Sequence, residues 1–85
     1  MTIGLRIKRM RKFHDMSRRE FSEKIGISAE ALRYCEIGAT QPKTDTIIKI
    51  ADFFDVTTDF LIFGKDKIPN SNNKYEAYLK YSDEV

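Results

Sequence analysis

The chain has 85 residues, room for one small domain and not for separate catalytic and regulatory halves. Its 41% apolar and 33% charged residues, with four Gly and two Pro, exclude disordered and collagen-like classes, and no run reaches the ~18 apolar residues of a membrane span. A single cysteine, Cys35, and a single histidine, His14, exclude an internal disulfide framework and a thiolate zinc site, so no metal and no cofactor is expected.

The first helix is predicted over residues 2 to 14, where Ile3, Ile7, Met10 and His14 recur at helical spacing and Arg6, Lys8, Arg9 and Lys12 form a basic outer side. Asp15 ends it, since Asp tolerates the left-handed backbone a helix C-terminus needs. Ser17 and Glu20 then make a capping box, with Met16 packing on Phe21 as a staple, and open a second helix that runs to Ile25. Gly26-Ile27-Ser28 forms the turn: Gly26 bends the backbone, Ile27 is an apolar plug that pairs with Leu32, and Ser28 caps a third helix at about residues 29 to 37. Leu32 and Cys35 face inward, Gly38 stops the helix, and Pro42 prevents its resumption.

A fourth helix at about residues 45 to 54 carries Ile47, Ile48, Ile50, Ala51 and Phe54 and ends at Asp55. Val56 to Leu61 repeats the staple-and-cap pattern, opening a short fifth helix that runs to Phe63 and stops at Gly64. Residues 1–64 therefore read as one all-α domain of five helices. From Lys65 onward the polar stretch Pro69-Asn70-Ser71-Asn72-Asn73 reads as a linker, and the 65–85 segment ends in a tail whose Tyr75, Tyr78 and Leu79 form one face of a short helix. Alone that helix is too short to be stable, so it is disordered, used in dimerisation, or docked on a protein partner.

Charge divides unevenly. Residues 1–43 hold ten basic groups against five acidic, and residues 44–85 hold five lysines against eight acids. Such asymmetry fits either a polyanion-binding face or a solvated helix surface. The charged start, Met1 to Lys8, is no signal-peptide core, which leads us to expect a cytoplasmic protein.

Two short helices joined by a Gly-containing turn, the second one capped, make a helix-turn-helix. Gly4 to Arg11, Met16-Ser17, Glu20 to Ser28, Glu36-Ile37-Gly38 with Pro42, and Ile50-Ala51-Asp52 through Val56-Thr57 resemble the Cro and phage-repressor type (XRE-like) domains, over residues 3–64. The resemblance implies a five-helix lambda-repressor-like fold, specific binding to double-stranded DNA, and a homodimer on a palindromic operator. It also implies an ion pair between Arg11 and Glu36 that orients the first helix against the third. A glutamine is usual in the family where Arg18 stands, long polar side chains where Ala29 and Glu30 stand, and an aromatic where Cys35 stands.

Physical reasoning adds roles to the residues. The capped start of the second helix offers free amides and a positive dipole end to a phosphate, with Ser17, Arg18 and Arg19 as the clamp. The third helix would lie in the major groove and read bases with Ser28, Ala29, Glu30, Arg33 and Tyr34. Arg33 can bond guanine O6 and N7, Ala29 can touch a thymine methyl, and Glu30 can accept from cytosine N4. Thr40, Gln41 and Lys43 would reach phosphates across the groove. Phe53 lies outside the core stripe of the fourth helix, and Phe60, Leu61, Ile62 and Phe63 in a row exceed what a short fifth helix can bury; Phe53, Phe60, Ile62 and Phe63 therefore point to a dimer interface or to cover by the tail.

Two readings follow. The first is a DNA-binding transcriptional regulator, most often a repressor; the second is a protein-interaction module that keeps the fold without operator binding, which Ala29 and Glu30 favour. An enzyme is not expected, because there is no glycine-rich phosphate loop and no nucleophile with a base.

Overall fold

The computed structural model describes residues 2–65 and Tyr75. Those residues form five helices and no strand: α1 (Ile3–Phe13), α2 (Arg18–Ile25), α3 (Ala29–Glu36), α4 (Thr44–Phe54) and α5 (Thr58–Phe63). The expected all-α class is the one observed, and the capping chemistry explains the boundaries. Thr2, Ser17, Ser28 and Thr57 each accept a hydrogen bond from the amide three residues on, satisfying a donor that the first turn leaves without a helical partner. At Ser17 the return bond from its own amide to Glu20 completes a capping box. Helix α4 is the exception, entered from Lys43 with no side-chain cap.

Asp15 and Asp55, at φ 54° and 58°, are the two non-glycine residues with positive φ among those described, and they stop α1 and α4 as expected. Each lets the chain turn back so that the next amide returns to the helix: Met16 N donates to Arg11 O and Val56 N to Ala51 O.

The helices pack α1 against α3 and α5, α2 against α3 and α4, and α4 against α5. Ile7, Met10, Phe21, Ile25, Leu32, Ile50, Ala51, Phe54, Phe60 and Leu61 form the shared core, with Tyr75 joined to it. Gly4 sets the closest approach: a Cβ there would sit 1.8 Å from the carbonyl oxygen of Cys35, so α1 lies directly on the backbone of α3.

Three expectations are corrected. Arg6 is not on the basic outer side of α1; it is buried, and its Nη1 donates to the carbonyls of Leu61 and, at 3.2 Å, Ile62. Those carbonyls belong to the last turn of α5, where no helical amide remains to meet them and the dipole end is negative, so a buried cation is satisfied there. Phe60 is not available to a dimer interface, because it is 1% exposed and packed in the core; α5 turns Phe60 and Leu61 inward and leaves Ile62 and Phe63 outside. Tyr75 does not wait for a second chain: it is buried against Phe13, His14 and Phe54 of its own chain, and its hydroxyl pairs with His14 Nε2. The rest of the linker and tail expected at 65–85, apart from Lys65 and Tyr75, lies outside the described residues, including Tyr78 and Leu79.

Candidate nucleic-acid interface

The site begins with the turn between α2 and α3. Gly26, at φ 75°, lets Ile27 N return to Ser22 O at 3.0 Å, and Ile27 packs onto the core while Ser28 accepts from Ala31 N at 3.0 Å. This capped start commits the direction of α3. Leu32, Cys35 and Glu36 are buried, leaving Ala29, Glu30, Arg33 and Tyr34 exposed on the opposite side.

Arg18, Arg19, Ala29, Glu30, Arg33 and Tyr34 line one shallow open concavity, so the first turn of α2 and the outer face of α3 share a surface. Arg33 lies with its guanidinium carbon 5.4 Å from the Tyr34 ring centroid, a cation–π arrangement that restrains both side chains. Arg19 pairs with Glu23 at 3.6 Å, but both are well exposed, and such an i,i+4 pair opens readily to another anion. Ser28 spends one of its two oxygen lone pairs on the cap, leaving its hydroxyl hydrogen and the second lone pair to offer to a base.

Thr40, Gln41 and Lys43 do not line that concavity but meet Tyr34 elsewhere. There they line a second, more apolar cleft with Ile27, Ala31, Cys35, Pro42 and Thr46. The loop is fixed to α3 by bonds from Ala39 N and Thr40 N to Tyr34 O, at 2.9 and 3.3 Å, and by Cys35 Sγ at 3.8 Å from Thr40 Oγ1. Tyr34 lines both concavities, so the α2 arginines and the α3–α4 loop each share a surface with the exposed side of α3.

Beneath that face lies a buried ionic cluster. Glu36 Oε2 accepts from Arg11 Nε at 2.8 Å, and Oε1 accepts from Arg11 Nη2 at 3.0 Å and from Arg18 Nε at 3.1 Å. Arg11 Nη1 also donates to Met16 O at 2.7 Å. The Glu36 side chain is fully buried, Arg11 nearly so, and Arg18 is 35% exposed. The Arg11–Glu36 pair thus clamps α1 to α3. The participation of Arg18 is what sequence reasoning missed, because its partner lies 18 residues away.

Of the dimer candidates, Phe53, Ile62 and Phe63 remain exposed, Phe63 most of all at 64%. The ring of Phe53 also touches Phe21 and Phe54 edge-on, at centroid distances of 5.3 Å. Among the described residues no helix is long and apolar enough to cross a membrane, and no three His, Cys, Asp or Glu side chains gather to hold a metal.

Comparison with known proteins places this geometry. The helix-turn-helix family model matches residues 7–61. The HTH-type transcriptional regulator ImmR of Bacillus subtilis (strain 168) is 33% identical over 72 residues, 85% of this chain and 56% of that protein. Antitoxin PezA of Streptococcus pneumoniae serotype 4 is 37% identical over 78 residues, 92% of this chain and 49% of its own length. The chain spans about half the length of these curated relatives. Among solved structures, the P22 c2 repressor in complex with a synthetic operator superposes with a TM-score of 0.72 at 22% identity, covering 76% of this chain and 98% of that one. That likeness carries the lambda-repressor-like fold.

Proposed function

The chain belongs to the helix-turn-helix family, and on that premise we propose that it is a cytoplasmic, sequence-specific, double-stranded DNA-binding transcriptional regulator, a dimeric repressor without catalytic activity or cofactor of its own. One observation carries the reading: Arg18, Arg19, Ala29, Glu30, Arg33 and Tyr34 share a single exposed surface with the outer face of α3 at its centre. With α3 in the major groove, Arg33 takes guanine O6 and N7, Ala29 meets a thymine methyl, Glu30 accepts from cytosine N4, and Ser28 and Tyr34 border them. Ser17, Arg18 and Arg19 hold one phosphate strand and Thr40, Gln41 and Lys43 the other. Phe53, Ile62 and Phe63 join two copies so that their α3 helices stand about 34 to 36 Å apart, one DNA turn. Residues 1–64 do this work, and the 65–85 segment, tied to its own chain through Tyr75, supports the contact between chains or with a protein partner.

Binding titrations on a selected duplex and a scrambled one test the division of roles. Arg33→Ala relaxes base preference, whereas Arg18→Ala weakens binding to both duplexes alike; equal losses on both duplexes for both variants would overturn it. A second reading, a protein-interaction module, is favoured by Glu30, whose exposed carboxylate lies in the same concavity and repels phosphates. A steep fall of DNA binding with salt separates the two, because only phosphate contacts release counterions.

A further inference from the structure

We propose that Glu36 is a positioning residue for Arg18, making the phosphate contact at the start of α2 a fixed fork rather than a mobile charge. This rests on the DNA-binding reading above and adds to it a geometric element that Arg18 supplies only in company.

The starting point is the donor count. A guanidinium has five N–H groups in one plane, and Arg18 gives its Nε–H to Glu36 Oε1 at 3.1 Å, leaving the four Nη hydrogens for other acceptors. The carboxylate that takes that bond is itself immobile. Its side chain is fully buried, and both oxygens are tied to Arg11, which is anchored in turn to the Met16 carbonyl. A carboxylate held in this way anchors the Nε edge of the second guanidinium and turns its Nη groups away from itself.

Charge works in the same direction. Two arginines and one glutamate leave a surplus of one positive charge, and Arg18, 35% exposed, is the member of the cluster with access to solvent. A nucleic-acid phosphate approaching the concavity therefore meets a cation whose neutralising carboxylate is out of reach below it. Arg18 also lines that concavity together with Arg33 and Tyr34, so its fork and the base-reading face sit in one frame. The cluster joins α1 through Arg11, α2 through Arg18 and α3 through Glu36. A phosphate held by Arg18 consequently sets the register of α3 along the groove, because α3 carries the carboxylate that aims the clamp. A lysine cannot do this, since one ammonium on a flexible stem lacks a plane that can serve a carboxylate and a phosphate on different edges.

The test compares Arg18→Lys with Arg18→Ala in fluorescence titrations on the selected duplex over a salt series, with thermal midpoints to confirm folding. Arg18→Lys is expected to weaken binding about tenfold while keeping the wild-type salt slope, because charge is kept and geometry lost. Arg18→Ala is expected to lower the slope by about one as well. In the free protein, 15N NMR should show the Arg18 Nε–H as a distinct, slowly exchanging signal. Arg18→Lys binding within about twofold of wild type would overturn the positioning role and leave Arg18 a plain charge. So would an Nε–H that exchanges as fast as that of a solvated arginine. Absence of salt-dependent, selective binding by the wild-type protein would instead overturn the DNA-binding reading, a different and separately visible failure.

Discussion

Gly4→Ala sets two effects of opposite sign against each other. In an exposed helix interior the exchange stabilises by about 0.8 to 1 kcal/mol through helix propensity. Here the added methyl would stand 1.8 Å from Cys35 O and 2.9 Å from Cys35 C, both backbone atoms that cannot rotate aside. Reaching even a tight contact of 3.0 Å requires α1 and α3 to part by roughly 1.2 Å. That movement loosens Ile7 and Met10 against Leu32 and strains the Arg11–Glu36 pair, whose bonds are 2.8 and 3.0 Å long. Overpacking costs typically about 1 to 3 kcal/mol and more where backbone must move, so the expected net effect is a loss of about 2 kcal/mol or more. For a domain of this size that lowers the thermal midpoint by roughly 8 to 16 °C. Circular dichroism melts and urea titrations would measure it. A Gly4→Ala protein as stable as wild type, or more so, would refute the close approach of the two helices.

Other expectations follow from the same packing. Arg6→Met keeps much of the buried stem but removes the donors to Leu61 and Ile62, and should cost about 2 to 3 kcal/mol in urea unfolding; an unchanged midpoint would show that water replaces the guanidinium. Asp15→Gly relieves a left-handed φ of 54° and should raise stability by about 0.5 to 1 kcal/mol, whereas Asp15→Ala should lower it. Burial, and secondarily the charge of Asp55, push the Tyr75 phenol above its ordinary value of 10.0. The folded state therefore holds the neutral phenol longer than the unfolded chain does. Its stabilising effect is complete below about pH 10 and is lost as pH rises through the folded value. Urea midpoints between about pH 8 and pH 11 should thus fall more steeply for wild type than for Tyr75→Phe, and parallel curves would argue against burial of this ring.

Most of the fold could be read from local chemistry. Ser17 with Glu20, Ser28, Thr57, Asp15 and Asp55 act within a few residues of themselves, so their side chains announce helix ends directly. Interior residues such as Phe21, Leu32 and Phe54 declared themselves by period. What escaped was decided between distant elements. Arg6 flanks the Ile3–Ile7–Met10 stripe, and only the arrival of the α5 carbonyls explains why a cation is buried there. Phe60 and Phe63 look alike in the sequence, yet the register of α5 against α1 and α4 buries one and exposes the other. Gly4 belongs to a sequence motif, but its reason is the backbone of Cys35 across the helix pair. The exposed side of α3 was legible, since exposed positions on a capped helix follow from its inward ones. The Arg18–Glu36 bond spans 18 residues and has no local signature.

The most direct measurement is selection of bound sequences from a random duplex pool, performed at about 50 and 200 mM salt. Operator binding by a dimer predicts an enriched palindrome with half-sites about one helical turn apart and a large loss of affinity at the higher salt. Weak, unselective retention at both concentrations would contradict it, leaving Ala29 and Glu30 on a face that meets protein instead of DNA.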